Sequence, residues 1–260
     1  MGQKLVFFDI DGTLKPYGKP VPEPTKLALR LLREQGHLPV VCTGRTYASA
    51  MANSWLRELD FPVVICAAGG QVVVEGKTIY LHTLPAGEGE RLASLFAQYG
   101  CQFAMESPEG IFYSSPQALT LWRRVLGEEV PMFPLQGEPE GVQKAIAKGV
   151  AALRAAPEYA QLEEDYQLLW YGEEADLLEV IPRGTGKVAG IRALLAHTGF
   201  RQEDTVAFGD GPNDVEMLAF CGCGVAMGDG QPMAKAAADY VTGPCDGSGI
   251  YDACRRLGLI

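Results

Sequence analysis

Phe8-Asp9-Ile10-Asp11-Gly12-Thr13-Leu14 closes an apolar run, Leu5-Val6-Phe7-Phe8. Two carboxylates two residues apart follow a buried strand, and a glycine turns the chain directly after them. Like charges this close repel, so a neutralising partner is expected. A divalent cation with hard oxygen ligands, Mg²⁺ above all, fits that need. Far down the chain Thr205-Val206-Ala207-Phe208 is again apolar, and Gly209-Asp210-Gly211-Pro212-Asn213-Asp214 again supplies carboxylates. The two stretches read as one metal site at the carboxyl ends of two parallel strands.

Outward from this pair the first third of the chain alternates strand and helix. Strands are predicted over 4–10, 38–42 and 63–67, helices over 23–35 and 46–59. A hairpin over 71–82 turns at Glu75-Gly76-Lys77. Repetition of this kind implies right-handed crossovers and a parallel sheet. The middle changes character, with helices predicted over 87–99, 116–127 and 141–153 and strands over 102–106, 110–114, 167–171 and 176–181. The last third returns to the first pattern: helix 185–198, strand 205–208, helix 213–220, strand 224–227, helix 231–238, a short strand at Tyr240-Val241, and a helix from Gly249. The expected fold is therefore α/β, a Rossmann-like parallel-sheet core formed by 1–84 and 183–260. An α+β cap over 85–182 is inserted between the halves and is expected to hang over the carboxyl edge of the sheet, where ligands bind in open parallel sheets.

Composition narrows the class. The chain has 260 residues, 47% of them hydrophobic, enough for a large core. A net charge of −10 argues against a nucleic-acid partner. No apolar run approaches the ~20 residues of a membrane span. The four apolar residues before Asp9 are too few for a signal peptide, and Val6 spoils a myristoylation reading of Met1-Gly2. A cytoplasmic protein is expected. The seven cysteines are odd in number and lack a C-x-x-C pair, so free thiols are expected. The three histidines, His37, His82 and His197, have no metal-ligand spacing.

Phosphoryl transfer needs an in-line nucleophile, a cation, and donors around the phosphate oxygens. Asp9, at a strand end, is placed to attack and form an aspartyl-phosphate. Asp11 can protonate the leaving oxygen and then activate water. Asp210 can complete the metal shell, with Asp214 behind it. Thr43 offers a hydroxyl, Gly44 a backbone N–H, and Lys187 a cation at a helix start. Taken singly, Thr43 could be a helix cap, Lys187 a solvated residue and Asp214 a favourable first-turn acid. Their order along the chain, each at a strand end or helix start, carries the joint reading. Rival motifs fail on spacing: Gly184-Thr185-Gly186-Lys187 lacks the first glycine and the closing Ser/Thr of a Walker loop.

These residues resemble the haloacid dehalogenase-like phosphohydrolase superfamily, and within it the Cof-type subgroup with a large inserted α/β cap. Phe8 to Leu14 is similar to its first motif, Cys42-Thr43-Gly44-Arg45 to its second, Gly186-Lys187 to its third, and Gly209 to Asp214 with Met217-Leu218 to its fourth. The resemblance implies that Asp9 is the nucleophile and Asp11 the acid/base. It implies Mg²⁺ held by Asp9, the main-chain carbonyl of Asp11, and Asp210, with Asp214 in support. It implies phosphate held by Thr43, Lys187 and Asn213. One departure stands out: where the subgroup usually has Asn-Gly-Ala, this chain has Ala68-Gly69-Gly70, so the asparagine amide is missing.

The expected activity is Mg²⁺-dependent hydrolysis of a small phosphorylated metabolite, a phosphosugar by preference. A phosphomutase and a non-enzymatic phospho-ligand sensor are the alternatives. Tyr113, Trp122, Trp170 and Tyr171 are aromatic groups of the insert that could face substrate, although packing in its own core is the commoner fate.

Overall fold

The computed structural model describes residues 2–126, 129–171 and 176–260. It divides into two compact units. The first comprises residues up to Gly44, Ser54–Tyr80 and Gly186–Ile260; the second comprises Arg45–Asn53 and Leu81–Thr185.

The first unit is built on an eight-stranded sheet in the order Tyr240–Val241, Cys223–Ala226, Thr205–Gly209, Leu5–Phe8, Leu38–Cys42, Val63–Cys66, Gln71–Val74, Lys77–Leu81. The first six strands run parallel, and Gln71–Val74 runs antiparallel to Val63–Cys66. Leu5–Phe8 is central and buried throughout, as a parallel strand covered on both faces must be. It pairs with Leu38–Cys42 on one side and with Thr205–Gly209 on the other, Phe8 opposite Phe208. Those two rings stack with centroids 4.9 Å apart. The hairpin closes where expected: Glu75 and Gly76 both have positive φ, as a two-residue turn matched to strand twist requires.

The second unit holds a six-stranded sheet in the order Tyr166–Tyr171, Leu177–Pro182, Lys144–Lys148, Gln102–Ser107, Gly110–Tyr113, Met132–Pro134. On one face Phe103, Met105, Ala145, Ala147, Leu178 and Val180 pack with Leu92 and Phe96 of helix Glu88–Gln98. On the other, Ala104, Ile111 and Ile146 pack with Ala118 and Trp122 of helix Pro116–Leu126. The insert's aromatics mostly serve this core. Trp122 is fully buried, Tyr113 packs beside it, and Trp170 lies 6.2 Å from Tyr159. Gly127, expected as a helix end, lies outside the described residues, as does the side chain of Tyr171.

Two predicted elements are corrected. The helix over 141–153 is a strand, Lys144–Lys148, followed by a short helix, Ala151–Arg154. Ala145 and Ala147 face one core and Ile146 the other, so both sides are buried and the helical spacing is incidental. The helix over 46–59 is two short helices, Tyr47–Met51 and Ser54–Glu58. Asn53 breaks it by turning its amide back onto the carbonyls of Ser49 and Ala50. All seven cysteines are free, as expected. Among the described residues no helix is long and apolar enough to cross a membrane.

Candidate active site

Asp9, Thr43, Lys187, Asp210 and Asp214 fall at element boundaries of the first unit, Asp11 and Gly44 lie in the loops just beyond, and Asn213 sits within the short 3-10 turn Pro212–Asp214. Asp9 follows the central strand, where its N–H still donates to the Phe208 carbonyl at 3.0 Å. The chain then reverses over itself. Lys15 N–H donates to the Ile10 carbonyl at 3.0 Å, and Gly12 N–H to the Lys15 carbonyl at 2.9 Å. Gly12 has φ +92°, and a β-carbon there would lie 2.3 Å from an Asp210 oxygen. Glycine is thus required both by the turn and by the approach of the second acidic loop.

The carboxylates are organised by one lysine. Lys187 opens the helix Lys187–Thr198, is buried, and places Nζ 2.6 Å from Asp9 Oδ1 and 2.6 Å from Asp214 Oδ1. Asp214 Oδ2 accepts the N–H groups of Asp210 and Gly211, each at 2.9 Å. Both Asp214 oxygens are therefore engaged, and its role is to fix Lys187 and the loop that carries Asp210. Asp210 accepts from the Thr13 hydroxyl at 2.8 Å. Thr13 stands inside the first motif, yet sequence reasoning gave it no role. A hydroxyl directly after the glycine turn was the available signal.

The phosphate-side groups gather on neighbouring loops. Thr43 follows the strand Leu38–Cys42; its N–H donates to Ile65 and its carbonyl accepts from Ala68 N–H at 3.1 Å. A β-carbon on Gly44 would lie 3.7 Å from Asn213 Nδ2, so the second and fourth motifs meet there.

The electrostatics follow from crowding acids in a dry place. Burial lifts the Asp9 carboxyl to about 8; Lys187 opposes this, while Asp214 and Asp210 add to it. Burial likewise raises Asp210 to about 6, against the Thr13 hydrogen bond and with help from Asp214. Burial alone would lower the Lys187 ammonium, but Asp214 and Asp9 outweigh it and raise its pKa. Oxygens of Asp9, Asp210 and Asp214 lie within 4.8 Å of one another. Three carboxylates thus gather around one ammonium that pairs directly with two of them, Asp9 and Asp214, and this hard, oxygen-only donor set fits a divalent cation. The Asp11 carboxylate is not in that group.

A strand-end aspartate held by a lysine, backed by a second acidic loop at the carboxyl edge of a parallel sheet, is the kind of arrangement that phosphoryl transfer with a divalent cation calls for. The chain belongs to the haloacid dehalogenase-like hydrolases, whose family pattern it matches over residues 6–254, and it carries the features of the Cof-type branch. It is a phosphoric monoester hydrolase. It is 32% identical to YkrA of Bacillus subtilis over the full length of both chains. It is 27% identical to the 5-amino-6-(5-phospho-D-ribitylamino)uracil phosphatase YitU of the same organism, covering 95% of this chain and 94% of that one. Among solved structures, the subclass IIB sugar phosphatase BT4131 superposes with a TM-score of 0.81 at 28% identity, covering 99% of this chain and 100% of its own.

Proposed function

We propose that this enzyme is a Mg²⁺-dependent phosphatase of a small phosphosugar, working through an aspartyl-phosphate. The observation that carries the reading is the Lys187 bridge, 2.6 Å to Asp9 and 2.6 Å to Asp214. It holds one Asp9 oxygen in place, with the other left to attack phosphorus. Asp9 forms the new P–O bond as the ester P–O bond breaks, and Asp11 gives its proton to the departing sugar oxygen. Asp11 then takes a proton from water, whose oxygen attacks phosphorus and releases Asp9 and inorganic phosphate. Thr43, Gly44, Lys187 and Asn213 hold the equatorial phosphate oxygens. Asp9, the Asp11 carbonyl and Asp210, supported by Asp214, would hold the metal, which neutralises charge between the phosphate and the acids when bound.

The sugar class is supported by the two relatives that act on a sugar phosphate and on a phosphoribityl compound. The inserted segment over 85–182 is assigned discrimination among leaving groups, because the core motifs handle only metal and phosphate. Seven free thiols suit a reducing cytoplasm. The test is phosphate release from a panel of phosphosugars by purified protein with Mg²⁺ and no bisphosphate primer. Failure to release phosphate from any of them would refute the substrate class, and a strict need for a primer would point to a mutase.

A further inference from the structure

Tyr17 lies outside every motif quoted above. Its side chain is 75% exposed, the highest among the exposed large hydrophobic groups of the described residues. Its hydroxyl nonetheless donates to the main-chain carbonyl of Asp11 at 3.3 Å. The loop around it is held at several points. Pro16 is buried, its carbonyl accepts from Lys19 N–H at 3.3 Å, and the Lys19 ammonium sits 2.8 Å from Asp246. Gly18 supplies the positive φ that turns the chain between them. The ring is thus fixed at both ends of its loop while its face meets water.

The phenol oxygen reaches back to the acidic turn that carries Asp11. A substrate phosphorus bonded to Asp9 has its leaving oxygen next to Asp11, so the leaving group must pass the residue that anchors Tyr17. An aromatic face is apolar with a negative centre and suits the C–H-rich face of a sugar ring, whose hydroxyls remain free at the edge.

We propose that Tyr17 is a specificity-determining residue: its ring is a core-side wall for the sugar ring of the substrate, set in place by its hydroxyl bond to the Asp11 carbonyl. The inference rests on the phosphosugar reading above. It places part of the discrimination on the core.

The test is steady-state kinetics of wild type, Tyr17→Leu and Tyr17→Phe with Mg²⁺ on three esters: an aldohexose 6-phosphate, glycerol 3-phosphate and acetyl phosphate. Tyr17→Leu is expected to raise KM for the hexose phosphate about tenfold, an effect of the size of one aromatic contact. The loss in kcat/KM should be several times larger for the hexose phosphate than for acetyl phosphate. Tyr17→Phe keeps the ring but not its anchor, and should fall between wild type and Tyr17→Leu on the hexose phosphate alone. Equal losses on all three esters, or none, would overturn this inference and leave the phosphosugar reading standing. Wild type active on acetyl phosphate but on no sugar phosphate would overturn both.

Discussion

A β-carbon on Gly69 would lie 1.9 Å from the carbonyl oxygen of Gly186. The turn after the strand Val63–Cys66 therefore presses directly on the entrance of the helix that begins with Lys187. Gly69 also has φ +92°, so the position excludes a side chain on two counts. Gly69→Ala should lower unfolding stability by about 3 kcal/mol, from overpacking plus left-handed strain. It should also reduce kcat, because any relief moves Lys187 away from Asp9. Urea denaturation and kinetics check both effects. A wild-type midpoint would show that the turn has slack.

Asp9→Asn should leave the protein folded and remove turnover. The amide matches the carboxylate in shape but is a poor nucleophile and a weak cation ligand. A loss of more than a hundredfold in kcat, about 2.7 kcal/mol of barrier, is expected. The same substitution removes one of three mutually repelling acids in the cluster of Asp9, Asp210 and Asp214, so metal-free Asp9→Asn should melt no lower than metal-free wild type. Retention of more than about a hundredth of wild-type kcat would remove Asp9 from the nucleophile role.

Chelation should stop the reaction and Mg²⁺ should restore it. Ca²⁺ should bind but support turnover poorly, since its larger and looser shell misplaces the attacking oxygen. Mg²⁺ should also raise the melting temperature of wild type, and should raise it less in Asp210→Asn. Full activity in EDTA would falsify the metal assignment.

A second buried lysine sits between acids in the other unit. Lys144 Nζ lies 2.9 Å from Glu179 and 3.4 Å from Glu106. Burial raises the Glu106 pKa above its ordinary 4.5; Lys144 opposes this, and Glu179 adds to it. Below 4.5 the folded and unfolded forms are both protonated there. As pH climbs past 4.5 the unfolded chain ionises first, and the stabilisation is lost up to the raised folded value. Glu106→Gln should therefore gain stability relative to wild type as pH rises from 4.5, with Lys144 still paired to Glu179. Denaturation at several pH values reads the difference, and a flat difference would mean that Glu106 titrates normally.

Ala67 and Ala68 have φ of 49° and 53°, a left-handed conformation that L side chains adopt at a cost. Ala68 still matters to the site, since its N–H donates to the Thr43 carbonyl. Ala68→Gly should keep that bond and stabilise the protein by about 1 kcal/mol, the strain relieved less the extra entropy of glycine. A lower denaturation midpoint would mean that the Ala68 methyl packs more favourably than the strain costs.

This turn also shows what the sequence made legible. Ala68 stood out as a departure from a family pattern, yet nothing local revealed its backbone conformation. Asparagine tolerates a left-handed turn, which gives the usual residue a backbone reason as well as an amide. The central strands were legible because burial on both faces leaves continuous apolar runs, as in Leu5–Phe8 and Thr205–Gly209. The acids were legible because each follows such a run. Lys144–Lys148 was not: its Lys-Ala-Ile-Ala-Lys pattern fits a helix locally, and the acids that pair with the buried Lys144, Glu106 and Glu179, come from neighbouring strands distant in sequence. Met132–Pro134 and the helix Glu158–Asp165 were missed because prolines and a weakly apolar stretch left little period to read. Tyr17 was missed because no residue spacing signals an exposed ring tied to a backbone carbonyl.

The pairing of Leu5–Phe8 with Thr205–Gly209 has a consequence for how the protein is made. On the ribosome the first strand gains its neighbour Leu38–Cys42 early. Its other edge stays bare until the entire second unit and the Lys187 helix have been synthesised. Until then Asp9 has no lysine, and a fully apolar strand presents unpaired backbone to anything that can add to it. Contacts this distant in sequence make closure slow and the unfinished chain vulnerable to aggregation. The second unit, whose sheet pairs strands wholly within Leu81–Thr185, can form meanwhile, so assembly of the acidic sheet edge waits for the segment that runs from Lys187 through Thr205–Gly209.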